Sequence, residues 1–219
     1  IGYKEKWGMV VADFKAKFDK KNERIKVSIP GRFSVYNALA AIKVANLFGV
    51  STENIKETLE NVKVLGRSEL VDNKLDLKIM IDYAHTPDSL ENILKTAKQY
   101  TSGKVICVFG CGGDRDKAKR PLMGEISGRL ADYTIITSDN PRTEVPEDIV
   151  KEIESGAKKT KGNYECIVDR REAMKKAISM SGKSDIVIIA GKGHEMYQEI
   201  NKEKLPFDER EIIKEITNE

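Results

Sequence analysis

The 219 residues carry 38 Lys and Arg against 35 Asp and Glu, a formal net charge of +3, with 40% hydrophobic and 33% charged residues. That near balance, with no basic block or stripe, excludes a dedicated nucleic-acid binder, and the apolar share suffices for a buried core. No apolar run reaches membrane length and no secretion signal is legible, so Cys107, Cys111 and Cys166 are expected to be reduced thiols of a cytoplasmic protein, without the second ligand pair a zinc site needs.

The first residues, "IGYKEKWGMVVADF", carry no initiator Met and read as the middle of a domain, so a piece of a longer protein is expected. Two alternating runs, "GMVVADF" and "RIKVSI", flank "KAKFDKKNE" and predict a β-hairpin with a solvated turn. "PGRFSVYNALAAIKVANLFGV" predicts a helix from about Ser34 to Phe48, apolar over much of its circumference, with Gly49 as its C-terminal cap. "STENIKETLENV" opens on a Ser/Thr cap with Glu53 in the first turn and predicts a second helix.

Beyond Gly66 strand and helix alternate. Strands are predicted at 77–83, 104–110, 132–138, 164–169 and 184–191, and helices at 86–100, 120–130, 146–158 and 170–180. "EMYQEI" suggests a late strand and "DEREIIKEI" a closing helix. The strands are nearly continuous β-branched and apolar runs, as in a parallel sheet covered on both faces, and the repeated βα units predict an α/β doubly wound fold. A domain boundary is expected near 64–67, where the two-helix unit gives way to the βα series.

Ligands of such sheets bind beyond the carboxyl ends of the strands. Those ends read "DYAHTPDS", "GCGGDRDKAKR", "DNPR", "RREA" and "KGHE", whereas the opposite edge reads "TSGK" and "SGKS". Four of the five mix Gly, Asn, Asp or His with charge, and this asymmetry locates a binding site. Each piece also has a plainer reading: Asp82 as a helix N-cap, His85 as a surface turn residue, the glycines as a tight turn, "KGHE" as surface charge. Lys192, His194 and Glu195 lie so close to two glycines that function is favoured there. "SGKSD" is no P-loop, because Ala177 stands where its first glycine would fall and a strand follows it.

"GRFSVYNALAA", "LGRSE", "DYAHTPDSL", "FGCGGDRDKAKRPLMG", "DNPRTEVPEDI" and "AGKGHEMYQ" with "LPFDERE" occur in that order. Together they resemble the Mur ligases of peptidoglycan synthesis, in the branch that adds an amino acid to a UDP-N-acetylmuramoyl-dipeptide. The resemblance runs from about residue 28 to the end. It implies that residues 1–65 are the tail of a central ATPase domain and 66–219 a Rossmann-like C-terminal domain, mostly parallel and doubly wound. It also implies that the UDP-sugar domain and the P-loop lie outside this chain, which alone would be inactive and holds no assigned catalytic residue.

By motif position, the resemblance implies that Asn37, Arg67, Asp82, Tyr83 and His85 line an ATP site. Arg115, Asp139, Asn140, Arg142, Gly191 and Glu195 would take the incoming amino acid. ATP and Mg2+ are the implied cofactors, with the metal ligands in the absent central domain, and a monomer acting on small molecules, without nucleic acid or membrane, is expected. meso-Diaminopimelate differs from L-lysine by one distal carboxylate, which a fixed guanidinium can grip with two parallel hydrogen bonds. In lysine-adding relatives the arginine of this motif is replaced, so by that analogy Arg142 of "DNPR" favours diaminopimelate, with Asn140 beside it and Glu195 available for an ammonium. L-Lysine addition, a sister ligase such as the folylpolyglutamate type, and a non-catalytic binding module of the same fold are the alternatives.

Overall fold

In a computed structural model the described residues are 2–6, 9–18 and 21–218, and the chain divides into two compact units, 1–64 and 65–219. In the first unit β1 (Gly2–Lys6), β2 (Met9–Phe18) and β3 (Lys21–Val27) pair antiparallel in that order. The expected hairpin is thus longer and has a third strand. Much of "KAKFDKKNE" is paired, with Lys15 opposite Arg24 and Lys17 opposite Asn22, and residues 19 and 20 of the expected turn lie outside the described residues. The physical reason is that the alternation does not stop at Phe14. Ala12, Phe14 and Ala16 are buried while Lys15 and Lys17 face solvent, so the charged residues occupy one side of a strand that runs on.

The helix α1 (Arg32–Leu47) follows, closed by Gly49 at φ +73°, whose N–H donates to Asn46 while that of Val50 donates to Ala45, both at 3.1 Å. Val35, Ala38 and Ile42 pack inward, but Leu39, Val44, Leu47 and Phe48 are exposed, so less of the expected apolar circumference is used than its composition suggests. In α2 (Thr52–Asn61) Ser51 caps the Asn54 N–H, and Ile55 joins the core of this unit.

The second unit runs β4 (Glu69–Leu70), β5 (Lys78–Asp82), α3 (Pro87–Tyr100), β6 (Val105–Phe109), α4 (Lys119–Leu130), β7 (Tyr133–Ile136), α5 (Pro146–Ala157), β8 (Asn163–Cys166), α6 (Arg170–Ser179) and β9 (Ile186–Ala190). The hairpin strands β10 (Tyr197–Ile200) and β11 (Glu203–Pro206) and the helix α7 (Glu209–Asn218) complete it. The sheet order is β4-β5-β9-β6-β7-β8, parallel except for β4 on β5. One face carries Met80, Leu90, Leu94, Phe109, Met123 and Ile153, and the other Ile81, Val108, Met174, Ile178, Ile189 and Ile213. The sheet is therefore α/β, mostly parallel and doubly wound, with β9 returning between β5 and β6 and bringing their carboxyl ends together.

Three elements depart from expectation. The run 164–169 predicted as a buried strand is a four-residue edge strand, half-buried or exposed throughout, because β8 has a neighbour on one side only. The two-residue β4 is too short to leave a periodic signal. The late strand is one arm of the β10–β11 hairpin.

Candidate functional site

The carboxyl end of β5 leads into "DYAH". Asp82 caps no helix: the N-cap of α3 is Thr86, which with Ser89 forms a reciprocal capping box. Asp82 instead accepts the Ser68 N–H at 2.7 Å and lies near its hydroxyl at 3.3 Å. Burial pushes its carboxyl above the usual range, and the Ser68 and Ala84 N–H groups oppose that shift. The result is a carboxylate fixed at the sheet edge.

Around it stands a wall of rings and cations. The Arg67 guanidinium lies 4.8 Å from the Tyr83 ring centroid, and the His85 and His194 rings lie 4.6 and 5.2 Å from it. His85 is exposed, its Nδ1 2.8 Å from the Tyr83 carbonyl, and Lys119 donates to the His85 carbonyl at 2.8 Å. Arg67, Asp82, Tyr83 and His85 are thus gathered in one place, suited to a flat heteroaromatic ring, hydroxyls and an anionic tail. Asn37 belongs to the first unit, exposed on α1.

A second cluster centres on Asn140, only 2% exposed. Its Oδ1 accepts from Lys192 Nζ at 2.8 Å and from the Glu199 N–H at 2.9 Å, and its Nδ2 donates to Glu195 Oε2 at 2.8 Å. A cation on one side and a carboxylate on the other fix the amide's orientation. Lys192 is fully buried, so "KGHE" is not surface charge at its lysine. Burial pulls the Lys192 pKa down, while Asp139, Glu195 and Glu209 pull it up and Arg170 adds to the depression. Asp139 Oδ1 receives the Asn140 N–H at 2.7 Å. A side chain on Gly191 would stand 2.5 Å from Asp139 Oδ2, and Gly191 has φ +118°, so glycine is required there.

Arg142 is left-handed at φ +53°, and its backbone joins the hairpin: its N–H donates to the Glu199 carbonyl at 3.0 Å, and its carbonyl accepts from Asn201 at 2.7 Å. Its Nη1 donates to the Gly113 carbonyl at 2.8 Å, and its Nε lies 3.2 Å from Glu199 Oε2. Arg115 is exposed and donates at 3.0 Å to the neighbouring Asp114 carbonyl. The site therefore offers one restrained guanidinium, one exposed guanidinium and the Glu195 carboxylate, a set suited to an amino acid bearing more than one charged end.

Two buried arginines hold these loops, and neither was expected from the sequence. Arg120 bridges Glu144 at 2.9 Å, Glu152 at 2.8 Å and the Gly112 carbonyl at 3.2 Å. It holds the Glu144 carboxyl down to about 2, with help from the Asp114 N–H and Lys117. The fourth strand end, "RREA", delivers Arg170 into the interior, where it pairs with Glu209 at 2.7 Å and donates to the Ser138 and Ala190 carbonyls. The carboxyl ends of β7 and β9 are thereby tied to the start of α7. Nothing in "RREA" distinguished this structural arginine from a ligand-facing one, because its partner lies 39 residues away. Among the described residues no group of three or more His, Cys, Asp or Glu is placed to hold a metal ion.

Residues 66–193 match the family model described as Mur ligase, glutamate ligase domain. The chain is 54% identical over 206 residues to the UDP-N-acetylmuramoyl-L-alanyl-D-glutamate–2,6-diaminopimelate ligase of Caldanaerobacter subterraneus, covering 94% of this chain and 43% of that protein. It is 53% identical over 196 residues to the second ligase of that name in Clostridium acetobutylicum, covering 89% of this chain and 41% of the other. A solved structure of a ligase of that name aligns with a TM-score of 0.68 and 37% identity, over 94% of this chain and 42% of that one. The chain thus spans about two fifths of the length of the relatives it matches.

Proposed function

The chain belongs to the Mur ligase family, and from that premise we propose that it is the C-terminal portion of an ATP-dependent ligase that adds meso-diaminopimelate to UDP-N-acetylmuramoyl-L-alanyl-D-glutamate in the cytoplasm. The γ-phosphoryl group of ATP passes to the dipeptide carboxylate, giving an acyl phosphate and ADP. The amine of diaminopimelate attacks the acyl carbon, phosphate leaves with the C–O bond, and the amine loses a proton as the amide forms. Such an intermediate must be kept from water, the task of a domain that closes over it.

Within this chain, Arg67, Asp82, Tyr83 and His85 form the nucleotide wall, and Asn37 contributes to the adenine. Asp139 and Asn140 shape the amino-acid pocket with Gly191, Glu195 takes an ammonium, and Arg115 and Arg142 take carboxylates. Magnesium is the metal this reading implies, and we assign its ligands to the remainder of the ligase. The names of the relatives support diaminopimelate as the substrate. The observation that carries the reading is the Arg142 guanidinium, restrained beside a carboxylate-bearing amide cluster.

Kinetics of Arg142→Ala in the full-length ligase test it. Loss of the charge-assisted pair costs about 2–5 kcal/mol, a drop of roughly 30- to several-thousand-fold in kcat/KM for meso-diaminopimelate. Unchanged KM and kcat contradict the assignment.

A further inference from the structure

We infer that Glu199, on β10, is the positioning residue that sets the Arg142 guanidinium for its ligand, an inference resting on the reading of Arg142 as the carboxylate grip. Glu199 touches both key residues of the "DNPR" loop. Its N–H donates to Asn140 Oδ1 at 2.9 Å, its carbonyl accepts the Arg142 N–H at 3.0 Å, and its Oε2 lies 3.2 Å from Arg142 Nε. The two backbone contacts survive replacement by Ala or Gln; the carboxylate contact does not. Among the described residues Arg142 is the partner of the Glu199 carboxylate.

The geometry gives the contact its purpose. An arginine side chain has many rotamers, and a free one loses them when it binds. Here the Gly113 carbonyl holds Nη1 at 2.8 Å and the Glu199 carboxylate lies against Nε, restraining the guanidinium at two of its nitrogens. Nη2 meets no acceptor among the described residues. It is the corner presented to a carboxylate, and the restraint is in place before the ligand arrives. Glu199 and Arg142 side chains are 23% and 19% exposed, so the pair is partly desolvated. L-Lysine lacks the distal carboxylate and draws no advantage from this restraint.

The test uses the full-length ligase with Glu199→Ala, Glu199→Gln and, in parallel, Arg142→Ala. Glu199→Ala is expected to raise the KM for meso-diaminopimelate about tenfold at nearly unchanged kcat, and to lower its kcat/KM ratio over L-lysine by a similar factor. Glu199→Gln, which keeps an acceptor oxygen, recovers most of that. An unchanged KM, a KM that falls, or an equal loss for both amino acids together with a lowered melting temperature overturns the inference. If Arg142→Ala loses the preference for diaminopimelate and Glu199→Ala does not, the positioning role alone fails. If Arg142→Ala has no effect, the reading of Arg142 fails first.

Discussion

Asn140 has its amide fixed by Lys192 and Glu195 at 2.8 Å each, and the neighbouring buried ions follow the same economy of paired charge. Arg170 and Glu209 are both fully buried and face one another at 2.7 Å. Removing one member leaves the other uncompensated, so Glu209→Ala is expected to lower unfolding stability by about 3–5 kcal/mol in urea titration of this chain. Glu144 gives the pH dependence. Its carboxyl is held down to about 2 by Arg120, from an ordinary 4.5, so its contribution is complete above pH 4.5 and is lost as pH falls from there toward 2. Glu144→Gln should be less stable at neutral pH and show a shallower fall in melting temperature over that window; an unaltered fall contradicts the assignment. At this scale the sequence placed Asp139, Asn140, Arg142 and Glu195 at strand ends, and the structure brings Asn140 and Glu195 into contact at 2.8 Å. The roles of Arg120, Arg170 and Glu199 were not legible, because their charged partners lie 24 to 57 positions away in sequence and only folding joins them.

The strand ends place the chemistry, and glycines let the loops meet. A Cβ on Gly113 would stand 1.9 Å from the Pro141 carbonyl oxygen, which is backbone and has little room to yield. Gly113→Ala is therefore expected to separate the "GGDRD" and "DNPR" loops and to weaken diaminopimelate binding in the full-length ligase at least tenfold, with a modest loss of stability; unchanged KM contradicts it. The parallel strands were legible because their buried runs are unbroken. The first hairpin was underestimated because charge on one face of a strand resembles a turn when only one strand is read. The strand β8 was overestimated because an edge position is a property of the sheet, not of the segment. The hairpin β10–β11 carries no long apolar run, yet it reaches the site through backbone pairing with Arg142.

The two units, 1–64 and 65–219, each carry a core of their own, and the family match lies in the second, over 66–193. A doubly wound sheet explains why motifs scattered from Arg67 to Glu195 converge, since β9 returns between β5 and β6. It does not by itself name a reaction, which is why the charges around Asn140 matter more than the fold. The most direct measurement is a competition between meso-diaminopimelate and L-lysine for the full-length ligase, read as the ratio of amide products. A preference for meso-diaminopimelate of at least about 30-fold in kcat/KM is predicted, the lower end of what a fixed guanidinium–carboxylate pair supplies. Equal use of both amino acids, or a preference for lysine, would contradict the account and leave Arg142 without a carboxylate to read.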